Sequence, residues 1–119
     1  MEKILNIDGR QVKFKNTGAF LLRYKAQFGR DALHDIYKLL DVIGEDKKIK
    51  NIESLDLGTF YDLVWVLAKT AEPNLPPPLE WLDTFGEFPL LDILPEIIEM
   101  ISSCLTSTVQ SKKKYKIAK

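Results

Sequence analysis

The stretch from Leu57 to Thr70 most constrains what this chain can fold into. Leu57, Phe60, Tyr61, Val64, Leu67 and Ala68 recur at helical spacing, and Leu63, Trp65 and Val66 lie beyond that stripe. A helix that is apolar on nearly every side has no face to offer water and belongs at the centre of a core. Ser54 or Asp56 is placed to open it. The chain has 119 residues, enough for one domain around a single core and too few for two.

Upstream, the apolar runs Ile4–Ile7 and Val12–Phe14 flank Asp8-Gly9. Glycine accepts the positive φ of a tight primed turn, so this pattern predicts a β-hairpin over about 3–15. Two strands alone are marginal, and the hairpin has to lean on helices. Thr17 is expected to cap a first helix carrying Phe20, Leu21, Tyr24 and Phe28, ended by Gly29. Asp31 is expected to cap a second helix with Leu33, Ile36, Tyr37, Leu40 and Ile43, ended by Gly44. The charged run from Glu45 to Asn51 reads as a solvated loop.

Downstream, Pro73, Pro76, Pro77 and Pro78 mark a loop that cannot be helical throughout. A short helix through Trp81, Leu82 and Phe85 follows. Pro89 and Pro95 bracket a short segment before a last helix from Pro95 to about Leu105, with Glu96, Glu99 and Ser103 on its polar face. Beyond Thr106 the residues are polar and basic, and residues 106–119 are expected to be a flexible tail. The fold class is therefore α+β, mainly α: an N-terminal β-hairpin and about five helices in one compact domain over residues 1–105.

Charge and chemistry narrow the function. Basic and acidic residues balance at 17 each, so bulk electrostatics do not drive the chain onto DNA or a membrane. The balance is global and not local: it hides an acidic C-terminal half and a basic tail. From Thr70 to Ser111 there is no Lys or Arg, and then Lys112, Lys113, Lys114, Lys116 and Lys119 follow. No apolar run is long enough for a signal peptide or a membrane span, and the single cysteine, Cys104, fits a reducing compartment. The expected location is cytoplasmic.

His34 has no second ligand at metal spacing and reads as a surface or boundary residue; Cys104 reads as a buried structural thiol. Asp83 with Glu87, and Asp92 with Glu96, are pairs one helical turn apart that fit a solvated or partner-facing acidic surface better than a cation site. There is no glycine-rich phosphate loop and no nucleophile elbow, and no titratable groups converge. The chain is expected to be no enzyme and to need no cofactor or metal.

Four segments together resemble one family. Residues 16–31 (NTGAFLLRYKAQFGRD) resemble the first helix and turn of tail assembly chaperones of Gram-positive siphophages. Residues 60–73 (FYDLVWVLAKTAEP) are similar to the family's central helix and its Ala-acid-Pro ending. Residues 80–85 (EWLDTF) match its EWLD-x-F element, and residues 93–99 (ILPEIIE) its ILPEIIE helix. The likeness spans roughly residues 3–105 and does not cover the lysine tail.

The resemblance implies a phage or prophage protein that binds the tape measure protein and helps recruit tail tube subunits during long-tail assembly. It implies a site in the bacterial host cytoplasm, absent from the mature virion. Contact with the tail tube protein belongs in this family to a longer product made by ribosomal frameshift. Ser111-Lys112-Lys113-Lys114 is compatible with an A-rich slippery run at that point, and equally with a plain basic end.

A chaperone of this kind needs apolar faces that accept a partner helix. The candidates are Trp81, Phe85 and Phe88, and on the last helix Ile97, Ile98, Ile101 and Leu105. Each also fits an internal core, and a small domain can leave only a few of them at the surface. Self-association through the same faces is a further expectation. Two other readings stand beside this one: a small DNA-associated regulator using the lysine tail, whose phosphate contacts are weak and salt-sensitive, and a structural tail or connector subunit.

Overall fold

The computed structural model describes residues 1–41, 53 and 56–117, with side chains through residue 105. Strands β1 (Glu2–Ile7) and β2 (Arg10–Lys15) form an antiparallel hairpin. Helices α1 (Phe20–Phe28), α2 (Ala32–Asp41), α3 (Leu57–Ala71), α4 (Pro78–Asp83) and α5 (Leu90–Ile117) follow. This is the mainly helical α+β arrangement that the sequence patterns predict.

The hairpin forms where the Asp-Gly signal puts it. Ile7 pairs with Arg10 around a two-residue turn in which Asp8 (φ 53°) and Gly9 (φ 74°) are both left-handed. That geometry matches the natural twist of the two strands. Alternation then sorts the faces: Ile7, Val12 and Phe14 are buried, and Glu2, Ile4, Asn6, Gln11 and Lys13 are exposed.

The inner face of β2 lies on α3, the central element. Phe60 and every residue from Leu63 to Ala68 are buried. Asp56 caps the helix, its Oδ1 accepting the Thr59 amide at 3.2 Å, and that bond holds the carboxyl below the usual carboxylate range. Ser54, the other expected cap, lies outside the described residues. At the far end Trp65 Nε1 donates to the Pro76 carbonyl at 2.8 Å, and Lys69 Nζ donates to the Pro73 and Leu75 carbonyls. The proline loop is thus fastened to the last turns of α3.

Helices α1 and α2 pack beside α3. Gly29 ends α1 in the left-handed conformation (φ 70°), as expected. Thr17 does not cap α1 directly. Its hydroxyl accepts the Ala19 amide in a preceding turn, and Ala19 is the capping position. Asp31 does receive an amide of the first turn of α2, that of Leu33.

The buried stripe of α2 is rotated from the expected one. Ala32, Asp35, Ile36 and Leu39 point inward, whereas Tyr37 is exposed and Leu33 and Leu40 are only half-buried. Asp35 sits in that stripe because it is neutralised there. Tyr24 Oη donates to its Oδ2 at 2.6 Å, and Arg30 Nε donates to the same oxygen at 3.0 Å. Arg30 also reaches Tyr24 Oη and Asp62, linking α1, α2 and α3. Burial pushes the Tyr24 hydroxyl well above the usual tyrosine range. The expected end of α2 at Ile43 and Gly44, and the loop from Glu45 to Asn51, lie outside the described residues.

The C-terminal half departs most from expectation. Helix α4 starts on Pro78 itself and stops at Asp83, so Phe85 lies past its end, in a turn closed by its amide on the Leu82 carbonyl. Helix α5 starts at Leu90 rather than Pro95, the Pro89 carbonyl accepting the amides of Asp92 and Ile93. Pro95 is interior to the helix. It deprives the Leu91 carbonyl of a donor, but Leu91 is exposed, so water can serve that carbonyl. The helical backbone also continues through Ile117, whereas the pattern predicted an end near Leu105 and a tail over 106–119.

The Arg30 hub sets a stability prediction. Removing one partner of a fully buried ion pair costs about 3–5 kcal/mol, but exposed pairs are worth about 0–1 kcal/mol. The Arg30 side chain is 47% exposed and that of Asp35 only 8%. Arg30→Ala is therefore expected to cost roughly 2 kcal/mol, an intermediate value. Arg30→Lys should recover only part of it, since an ammonium cannot fork across a hydroxyl and two carboxylates. Urea denaturation midpoints of the two variants check both expectations.

Candidate functional site

The seven residues expected to receive a partner mostly face inward. Trp81, Phe85, Ile97, Ile98 and Ile101 are buried in the single core, and Phe88 and Leu105 are half-buried against it. The aromatic members form one cluster. Ring centroids lie 5.3 Å apart for Trp81–Phe85, 5.4 Å for Phe85–Phe88 and 6.0 Å for Trp81–Phe88, with Tyr61 of α3 at 5.8 Å from Phe88. These edge-on contacts satisfy the rings internally.

The hairpin turn seals that cluster. Arg10 lies 3.9 Å over the Phe85 ring and donates to the Thr84 carbonyl and hydroxyl. Asp8 Oδ2 accepts the Gly86 amide at 2.8 Å. Phe85 is thereby covered by Arg10, with its chain neighbours Thr84 and Gly86 tied to the turn, and presenting it to a partner would require the turn to lift away.

At its other end the hairpin grips α5. Lys3 Nζ lies 2.6 Å from Glu96 and 2.8 Å from Glu99. Asn16 Nδ2 donates to the Met100 carbonyl at 2.8 Å. The acidic segment that lacks its own Lys or Arg is thus answered by a lysine from β1. Burial works against the Lys3 ammonium, but hydrogen bonds to Glu96 and Glu99 outweigh it and hold the group above the ordinary lysine value. Sequence reasoning assigned Glu96 and Glu99 to a polar face without naming their partner. The cue was the lysine in the alternating β1 pattern, at a position that faces inward.

The other residues singled out for chemistry are spread apart. His34, Asp83, Glu87 and Asp92 are exposed. Cys104 is half-buried beside Asn16; burial pushes its thiol up, and the hydrogen bond with Asn16 opposes this only in part. Among the described residues no three His, Cys, Asp or Glu side chains sit together as metal ligands would, and no helix is long and apolar enough to cross a membrane.

Apolar surface remains elsewhere. Leu22 on α1 is 72% exposed and Leu79 on α4 is 74% exposed, with Ile4, Tyr37, Leu57 and Leu91 also well exposed. A groove of about 250 Å³ runs between α1 and α3, lined by Arg23, Ala26, Gln27, Trp65, Val66 and Lys69. Its size is below that of a typical small-molecule pocket, and its lining mixes apolar and basic side chains.

The Lys3 bridge gives a pH test with a definite sign. A lysine raised in the folded state contributes fully below its unfolded value, about 10.4, and that contribution disappears as pH rises through the folded value. Glu96 and Glu99 are about half-exposed, so the contribution at neutral pH is about 1 kcal/mol. The stability gap between the wild type and Lys3→Met should be steady from about pH 7 to 10 and close above that. Chemical denaturation across this range measures it.

Comparison with protein-family models, with characterised proteins and with solved structures finds no match to this chain.

Proposed function

We propose that this chain is a non-catalytic binding module, a tail assembly chaperone that holds the tape measure protein during long-tail assembly. The observation that carries the reading is the ordered resemblance of four segments, residues 16–31, 60–73, 80–85 and 93–99. Its structural support is that all four send side chains into one core: Phe20 and Tyr24; Phe60 and Leu63 to Ala68; Trp81 and Phe85; and Ile93, Leu94, Ile97 and Ile98. Segments that resemble one family in order and also pack together are consistent with one inherited unit.

The partner surface in this reading is not the buried aromatic cluster. It is the α1–α3 groove with the neighbouring Leu22, where Arg23 and Lys69 flank apolar floor from Ala26, Trp65 and Val66. An amphipathic partner helix places one or two apolar side chains on such a floor and its acidic side chains on the basic rim. Recruitment of tail tube subunits is assigned to a longer, frameshifted product, and the place of action to the host cytoplasm before the virion is complete.

Co-expression with a tape measure protein tests the reading. The expected result is a soluble complex that co-purifies, weakened at least tenfold by Leu22→Asp. An insoluble partner and no complex would overturn the function. A complex indifferent to Leu22→Asp would overturn only the choice of groove.

A further inference from the structure

The two edges of the hairpin are built differently. Met1 and Asn16 exchange both backbone hydrogen bonds, at 3.2 and 2.9 Å. In an antiparallel ladder such pairs alternate with unbonded ones, so Lys3–Phe14, Leu5–Val12 and Ile7–Arg10 are also bonded pairs. Glu2, Ile4 and Asn6 on β1, and Gln11, Lys13 and Lys15 on β2, therefore turn their N–H and C=O groups outward. Among the described residues no other backbone group bonds to any of them.

Open edges are usually guarded by lysines or by charges pointing inward. The β2 edge carries Lys13 and Lys15. The outward residues of β1 include no lysine and centre on Ile4, which is 56% exposed. The one inward charge on β1, Lys3, is neutralised by Glu96 and Glu99 and no longer repels a neighbouring strand.

We infer that two copies of this chain associate edge to edge through β1, making a four-stranded sheet in the order β2-β1-β1-β2 about a two-fold axis. One antiparallel register uses all three outward residues. It sets Ile4 against the partner's Ile4 and Glu2 against the partner's Asn6. About six main-chain hydrogen bonds close between the copies. Shifting by one pair sets Glu2 against the partner's Ile4, and shifting by two sets Glu2 against the partner's Glu2 or uses Asn6 alone. In the favoured register the Lys13 stems of both copies flank the paired isoleucines, since Lys13 is the cross-strand neighbour of Ile4. Such an isologous contact closes on itself rather than growing into a fibre. Its area falls below the roughly 1,200 Å² of standard interfaces, so the dimer is weak and concentration-dependent.

This association is independent of the tail-assembly reading and is tested on the full chain alone. Sedimentation over about 10 μM to 1 mM should show a monomer–dimer equilibrium within that micromolar-to-millimolar range. Ile4→Lys should weaken it at least tenfold by facing lysine with lysine, and its thermal melting should stay that of the wild type because Ile4 is exposed. In a Cys104→Ser background, Ile4→Cys should form a disulfide-linked dimer under mild oxidation, since bonded antiparallel partners have Cα atoms about 5.5 Å apart, within disulfide reach. Leu79→Cys, at a comparably exposed position on α4, is the control and should cross-link far more slowly. A monomer throughout the range, a dimer unaffected by Ile4→Lys, or equal cross-linking by the two cysteine variants would each overturn the inference.

Discussion

The rest of this fold depends on the middle of α3, which has no side to show water. With its residues from Leu63 to Ala68 all buried, the helix exists only inside a shell. Burying a large aliphatic or aromatic side chain is worth about 1.5–3 kcal/mol, so the central segment alone supplies a large share of the folding drive. That drive organises the rest: the inner hairpin face on one side, α1 and α2 on another, and Trp81 and α5 completing the enclosure.

A shell made of short pieces needs ties, and the polar contacts provide them at three places. Arg30 joins α1, α2 and α3 through a hydroxyl and two carboxylates. Trp65 and Lys69 fasten the proline loop. The hairpin holds the C-terminal half at both ends, with Asp8 and Arg10 on the loop after α4 and with Lys3 and Asn16 on α5. Each tie places a charged or amide group where hydrophobic packing alone would not fix the register of neighbouring elements.

Much of this was legible in the residues, for local reasons. Asp8-Gly9 and Gly29 announce themselves because few other residues accept positive φ. The central helix was legible because no polar stripe interrupts it. The misreadings are physical too. Asp35 was invisible as a core residue because its burial depends on Tyr24 and Arg30, which only the fold brings near. Pro95 suggested a helix start, although a proline also fits a helix interior where the residue whose carbonyl loses its donor, here Leu91, is exposed. The apolar residues proposed for a partner, Trp81, Phe85 and Ile97 among them, carry the same pattern whether they meet another chain or their own. Periodicity finds a sticky face and cannot say what covers it.

The hairpin contacts also order events in time. Asp8 meets Gly86 across 78 positions of the chain, and Lys3 meets Glu96 across 93. A hairpin closes within microseconds, whereas a chain grows at roughly 5–20 residues per second during synthesis. Hairpin closure is therefore never the slow step: the two strands can pair and part many times during the several seconds before the helices that make the pairing stable have emerged. During that interval Ile7, Val12 and Phe14 face the solvent or the emerging α3, and the fold is completed only when α5 arrives to take up Lys3.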